Sequence, residues 1–155
     1  VMLECNIDDT TPELLGSLTQ RLFEAGALDV FTTAVQMKKQ RPGTLLSVLC
    51  EAARKAPLIE LIFHESTTFG LREYAVERTV LERRFTEVST PYGTVRVKIG
   101  TWRGRDIVFA PEMEDCIRRA KEHQVPVRAA YEAATEAAAA LRRTPPSPRA
   151  PKENP

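Results

Sequence analysis

The sequence predicts an α+β fold: a ferredoxin-like βαββαβ unit followed by a smaller strand-rich α+β segment. Three observations lead there. Residues 1–72 read in the order strand, helix, strand, strand, helix, strand, the split β-α-β pattern in which two helices cover one face of an antiparallel sheet. The apolar residues of that stretch switch between a two-residue and a helical period at turn-forming residues. Beyond Arg72, tight-turn signals separate further alternating segments.

Each element has its own signal. Leu3, Cys5 and Ile7 alternate with polar neighbours and define a first strand. Thr11 supplies an N-cap, Pro12 a first helical position and Glu13 an acidic first turn. Leu14, Leu15, Leu18, Leu22 and Phe23 recur at helical spacing until Gly26 stops the helix. Residues 27–37 form a β-branched strand, and Arg41-Pro42-Gly43 is expected to turn the chain. Residues 45–50 are a short, nearly continuous apolar strand. A second helix covers about residues 54–64, with Leu58, Leu61 and Ile62 buried, and Gly70 breaks into a fourth strand. Further on, Tyr92-Gly93 closes a hairpin, and Val95, Val97 and Ile99 alternate with Arg96 and Lys98. Pro111 and Pro126 each open a helix, the second ending near Arg143. The expected organisation is residues 1–72 as the ferredoxin-like part, 73–143 as the strand-rich segment and 144–155 as a disordered proline-rich tail.

Composition narrows the function classes. Hydrophobic residues are 43% and charged residues 28% of 155, ordinary for a globular protein with one core of usual size. No apolar run reaches the ~20 residues a membrane span needs, so no membrane partner is expected. A net charge of +1 argues against a nucleic-acid coat. Cys5, Cys50 and Cys116 are odd in number and widely spaced, which fits buried, reduced thiols in a cytoplasmic protein. Val1 leads directly into a strand, as expected for the C-terminal piece of a longer protein. Because residues 45–50 are apolar on both faces and the helices cover one, the other face is expected to be covered by the following segment or by a second copy, giving a homo-oligomer.

Topology gathers three motifs. The first strand runs up and ends at Asp8-Asp9; the second runs up to the turn at residues 38–43. The second helix also climbs, ending in the loop of residues 64–70. All three therefore share one end of the domain. Asp8 and Asp9 offer hard oxygens to a divalent cation, with Glu65 a third carboxylate nearby. Lys38, Lys39 and Arg41 cluster three cations, and Thr67, Thr68 and Arg72 add donors for phosphate oxygens. Each motif also has a plain reading: aspartates cap helices, charged turns protect sheet edges, and hydroxyls before a glycine end a helix. Their convergence is what favours a nucleoside triphosphate with its metal. His64 and His123, near helix C-termini, read as packed or dipole-stabilised, and Glu112, Glu114 and Asp115 as first-turn acids. No residue is assigned as nucleophile or general base.

Five ordered segments resemble one family. They are Glu4-Cys5-Asn6-Ile7-Asp8-Asp9 with Pro12-Glu13, Gly26-Ala27-Leu28-Asp29-Val30-Phe31, Met37-Lys38-Lys39 with Arg41-Pro42-Gly43, Glu65-Ser66-Thr67-Thr68-Phe69-Gly70-Leu71-Arg72, and Pro111-Glu112-Met113-Glu114-Asp115-Cys116. The chain resembles the C-terminal domain of the nickel-insertion proteins of nickel-pincer nucleotide biosynthesis, the LarC family. That resemblance implies a CTP-dependent cyclometallase. Such an enzyme inserts nickel, its substrate metal, into pyridinium-3,5-bisthiocarboxylic acid mononucleotide, with Mn2+ or Mg2+ on the CTP. CTP is cleaved to CMP and pyrophosphate, the product serves lactate racemase, and the N-terminal domain is a partner outside this chain. Asp8 and Asp9 match the family's acidic pair, Lys38, Lys39 and Arg41 its basic turn, and Glu65 and Arg72 its third loop. Thr10 and Ser66 depart from the pattern without removing a charged candidate. The competing reading is a small-ligand regulatory or oligomerisation module on the same fold.

Overall fold

The computed structural model describes residues 1–143. The expectation of a disordered tail over 144–155 lies outside the described residues. The chain divides into two compact units, Val1–Arg78 and Thr79–Pro155.

In the first unit the strands are β1 (Met2–Ile7), β2 (Asp29–Gln36), β3 (Pro42–Leu49) and β4 (Arg72–Tyr74), and the helices α1 (Pro12–Glu24) and α2 (Lys55–Glu65). The sheet order β2-β3-β1-β4, antiparallel throughout, is the expected split β-α-β arrangement. Residues of odd number in β1 face the helices: Leu3, Cys5 and Ile7 join Leu18, Leu22, Leu46, Val48, Leu58 and Ile62 in one core. Fully burying one such leucine contributes about 1.5–3 kcal/mol. The helical stripe of α1 is narrower than the sequence suggests, because Leu14 and Phe23 fall on its opposite margins and stay exposed while Leu18 and Leu22 are buried.

The β2–β3 turn and the end of the last strand differ from expectation. The β2–β3 turn is residues 38–40, and Pro42 and Gly43 already belong to β3. Lys39 and Gln40 take left-handed backbone with φ of 60° each, so the reversal is complete before the Pro-Gly pair. β4 extends to Tyr74, held by pairing of Met2, Leu3 and Glu4 with Tyr74, Glu73 and Arg72, and the first compact unit ends at Arg78. On β3, Leu46 and Val48 join the core, whereas Leu45, Ser47 and Leu49 lie on the other face, so both faces carry leucine or valine; Ser47 there donates to Glu4 Oε1 at 3.1 Å.

The second unit contains β5 (Glu82–Thr90), β6 (Gly93–Trp102) and β7 (Arg105–Pro111) in an antiparallel sheet, with α3 (Met113–His123) and α4 (Val127–Arg143). Val88, Val95, Val97 and Ile99 pack with Cys116, Ala120, Ala130, Ala134 and Ala138. Alanines let α4 approach the sheet closely. Arg103 and Gly104, both at positive φ, make the two-residue β6–β7 turn. Asp115, buried on α3, accepts from Arg96 Nε at 2.8 Å and Arg118 Nη2 at 2.7 Å. All three cysteines are free and buried. Among the described residues no helix is long and apolar enough to cross a membrane.

Candidate functional site

The end of unit 1 where β1 stops is built by backbone first. Thr11 caps α1 through its hydroxyl, which accepts from the Leu14 amide at 3.4 Å, and this fixes residues 8–11 as a short connection. Across from it, the Met37 amide donates to the Arg41 carbonyl at 2.8 Å and closes the β2–β3 turn. Gly43 lets that turn sit against β1. A β-carbon there would lie 2.5 Å from Met37 Sδ and 3.0 Å from the Ile7 carbonyl oxygen. The third segment leaves α2 through Ser66, whose hydroxyl donates to the Ile62 carbonyl at 2.7 Å. Thr68 then bends the loop by donating to the Gly70 carbonyl at 2.8 Å.

Side chains join the three segments. Arg41 Nη1 lies 3.4 Å from Asp8 Oδ2, linking the basic turn to the acidic pair. The Thr67 hydroxyl donates to Asp9 Oδ1, linking the α2–β4 loop to the same pair. Lys38 and Lys39, both exposed, make no ion pair with a described residue. The turn therefore presents cations that no carboxylate among the described residues neutralises.

Two predicted residues take other partners. Arg72 points along the sheet face opposite the helices, donating to Asn6 Oδ1 at 2.6 Å and lying 3.9 Å from Glu4 Oε2. Glu65 is paired with Arg21 of α1. Among the described residues no three His, Cys, Asp or Glu side chains are grouped as a metal-ligand set. His64 is exposed and 3.9 Å from Glu60, and His123 stacks edge-on with Tyr92.

Glu4, Asn6 and Ser47 escaped the sequence reading. Their signal was parity, since positions 4 and 6 of β1 must face away from a core formed by 3, 5 and 7. Register then places Arg72 and Ser47 on either side of Glu4. Burial pushes the Cys5 thiol up, only partly offset by its hydrogen bond with Thr68 and the Arg72 charge. Tyr74 is also raised, by burial and then by its hydrogen bond to Glu4. The Glu13 carboxyl is held down by its own backbone amide and the Thr11 hydroxyl.

The family model described as nickel insertion protein matches residues 1–131. The chain belongs to the nickel insertion protein family. A pyridinium-3,5-bisthiocarboxylic acid mononucleotide nickel insertion protein from Acetivibrio thermocellus is 46% identical over 136 residues, covering 88% of this chain and 33% of that protein. One of the same description from Clostridium acetobutylicum is 42% identical over 132 residues, 85% of this chain and 31% of the relative. The chain thus spans about a third of the length of these relatives. Among solved structures, the apo C-terminal domain of a cyclometallase involved in synthesis of the NPN cofactor of lactate racemase superposes with a TM-score of 0.84. It is 44% identical, and the match covers 88% of this chain and 94% of that one. A protein from Methanopyrus kandleri shares the fold at a TM-score of 0.63 and 25% identity, over 88% of this chain and 84% of its own. The α+β architecture of this nickel-insertion family member, two antiparallel sheets with four helices, is that of the cyclometallase C-terminal domain.

Proposed function

We propose that this chain is the C-terminal part of a CTP-dependent nickel insertase acting on pyridinium-3,5-bisthiocarboxylic acid mononucleotide, and that its own task is to bind CTP and a divalent cation. The observation that carries this reading is the pair of links Asp8–Arg41 and Asp9–Thr67, which bring an acidic pair, a basic turn and a hydroxyl loop together.

The donor set suits a nucleotide-bound cation. Two adjacent carboxylates, with no third grouped beside them among the described residues, leave coordination positions for phosphate oxygens and water, the habit of Mg2+ and Mn2+ at triphosphates. Asp8 and Asp9 would hold the ion, and Glu65 joins them only by giving up Arg21. Bound there, the ion neutralises phosphate charge. Lys38 and Lys39 hold the triphosphate. Arg41, moving from Asp8 toward a phosphate, exchanges one anion for another at little cost. Thr67 and Thr68 donate to phosphate oxygens, and Arg72 reaches the same end from β4. In CTP cleavage the bond between the α-phosphorus and its bridging oxygen breaks, pyrophosphate leaves with the electron pair, and water supplies the oxygen that completes CMP. The cations stabilise the charge that grows on the departing oxygens. Nickel is substrate in this scheme, and the bisthiocarboxylate mononucleotide and the remainder of the longer protein are partners. A homo-oligomer through the open face of the unit 1 sheet, where Phe31 and Tyr74 remain about half exposed, belongs to the same reading.

Calorimetric titration of CTP with and without Mn2+, repeated with ATP, GTP and UTP, tests it. Metal-dependent binding that prefers CTP is the expected result. Absence of any metal-dependent nucleotide binding overturns it.

A further inference from the structure

The second unit carries a cavity of about 280 Å³ that the nucleotide reading does not use. In β5–β6–β7, the face away from α3 and α4 displays Arg83, Lys98, Gly100 and Val108, because Val97 and Ile99 occupy the core face between them. Residues 79–81 fold back across it. Leu81 lies over Gly100, where a β-carbon would come within 2.6 Å of Leu81 Cδ1 and 3.2 Å of Val108 Cβ. Val80, Leu81 and Val108 make apolar walls, Gly100 a bare floor, and Arg83 and Lys98 a cationic rim.

One of the two rim cations is unpaired. Lys98 has Glu112 at 3.3 Å, but the Arg83 guanidinium makes no hydrogen bond or ion pair with a described residue. Arg83 stands opposite Gly100, and Lys98 lies two residues along β6, opposite Phe85. Such diagonal positions are about 7–8 Å apart in an antiparallel pair. Two cationic side chains rooted at such positions on the rim of an apolar slot suit a flat body with an anionic group at each side, and Arg grips a carboxylate with two parallel donors. The volume lies near the lower end for ligand pockets, giving room for one ring and little more.

We infer that this cavity binds a monocyclic aromatic ring bearing two carboxylate-type groups. Resting on the proposed nickel-insertion reading, its natural occupant is the bisthiocarboxylate ring of the substrate; the cavity's chemistry stands apart from that reading.

Titration of the 155-residue chain with pyridine-3,5-dicarboxylate tests the inference, with hexanoate and inorganic phosphate as comparison probes. Saturable binding of the dicarboxylate is expected, at least tenfold tighter than either comparison. Arg83→Ala and Lys98→Ala each weaken it about tenfold, and Val108→Phe, which fills the slot, abolishes it. Arg83 is exposed, so its variant keeps the wild-type thermal transition. Asp8→Asn leaves dicarboxylate binding unchanged whatever it does to CTP, which separates the two sites. No saturable binding, equal binding of hexanoate or phosphate, or full affinity in folded Arg83→Ala overturns the inference even where CTP binding is intact.

Discussion

The Arg41 guanidinium lies 3.4 Å from the Asp8 carboxylate across 33 positions of sequence, and this one contact fixes how the basic turn faces the acidic pair. Both side chains retain solvent contact, so the pair itself adds little stability, about 0–1 kcal/mol. Its meaning is positional. An exposed ion pair exchanges partners cheaply, as a site needs when a polyphosphate displaces Asp8 from Arg41 and a cation takes the freed carboxylate.

The position depends on Gly43. Alanine there would meet Met37 Sδ, which can swing aside, and the Ile7 carbonyl, which cannot. Gly43→Ala is expected to destabilise by about 1–3 kcal/mol, the usual range for overpacking. It should also weaken CTP binding by lifting the turn from β1. Adding Met37→Ala should recover only the part due to sulfur. Denaturant unfolding of the single and double variants measures both shares, and an unchanged midpoint in the single variant contradicts the geometry.

Asp8→Asn and Asp9→Asn are each expected to reduce Mn2+-dependent CTP affinity by tenfold or more while leaving the thermal transition nearly unchanged. Each carboxylate has one partner at an exposed site, so little folding energy is at stake. Glu65 behaves differently if its role requires leaving Arg21. Arg21→Ala should then strengthen metal-dependent binding, and Glu65→Gln should weaken it. Calorimetry on the four variants decides, and full affinity in both aspartate variants removes the metal assignment.

Much of the site was legible because topology alone sets which loops share an end. Chain direction through a βαββαβ unit brought residues 8–9, 38–41 and 64–70 together before any contact was known. What the sequence hid was local. A turn at Lys39 and Gln40 needs two left-handed non-glycine residues, which propensity assigns instead to the following Pro-Gly. Glu65 shares the end of the domain that carries the aspartates, but its side-chain direction pairs it with Arg21. Asp115 shows the same limit. A helix first turn explains an acid at that position, yet not that it is buried between two arginines. In the second unit, nothing in the order of residues announced that Leu81 would fold over Gly100.

Asp115 provides a stability prediction with a definite pH sign. Arg96, through its side chain and its backbone amide, and Arg118 hold the Asp115 carboxyl well below its ordinary value of 3.8 despite burial. A depressed carboxyl stabilises the fold at pH values above 3.8. The contribution is lost as pH falls below that value toward the folded one, since the unfolded chain takes up the proton first. Asp115→Asn is expected to cost on the order of 2–3 kcal/mol at pH 7, the range for a charged hydrogen bond rather than for a stranded buried ion. Both arginines remain half exposed and can return to water. Thermal melts of wild type and variant should converge as pH drops below 4. A constant gap from pH 7 to pH 3 contradicts the assignment.

The basic turn supplies the last prediction. Lys38 and Lys39 have no carboxylate partner among the described residues, whereas Arg41 and Arg72 do, so the four cations should not respond alike. One charge-assisted contact to a phosphate contributes about 1.5–3 kcal/mol, or roughly tenfold to a hundredfold in affinity. Lys38→Ala and Lys39→Ala remove that contact and nothing else, so CTP affinity should fall by the full factor with no change in melting temperature. Arg41→Ala also frees Asp8 to meet the cation, so part of its loss is returned and its effect should shrink as Mn2+ is raised. Arg72→Ala breaks the links to Asn6 and Glu4 on the sheet face and should lower the thermal transition as well. A cation that acts only on the departing pyrophosphate would instead lower turnover and spare CTP affinity. Affinity and melting temperature of the four alanine variants, with pyrophosphate release measured in the longer protein, resolve these cases. Wild-type behaviour of all four in both assays would return the turn to a solvated sheet edge and place the nucleotide elsewhere.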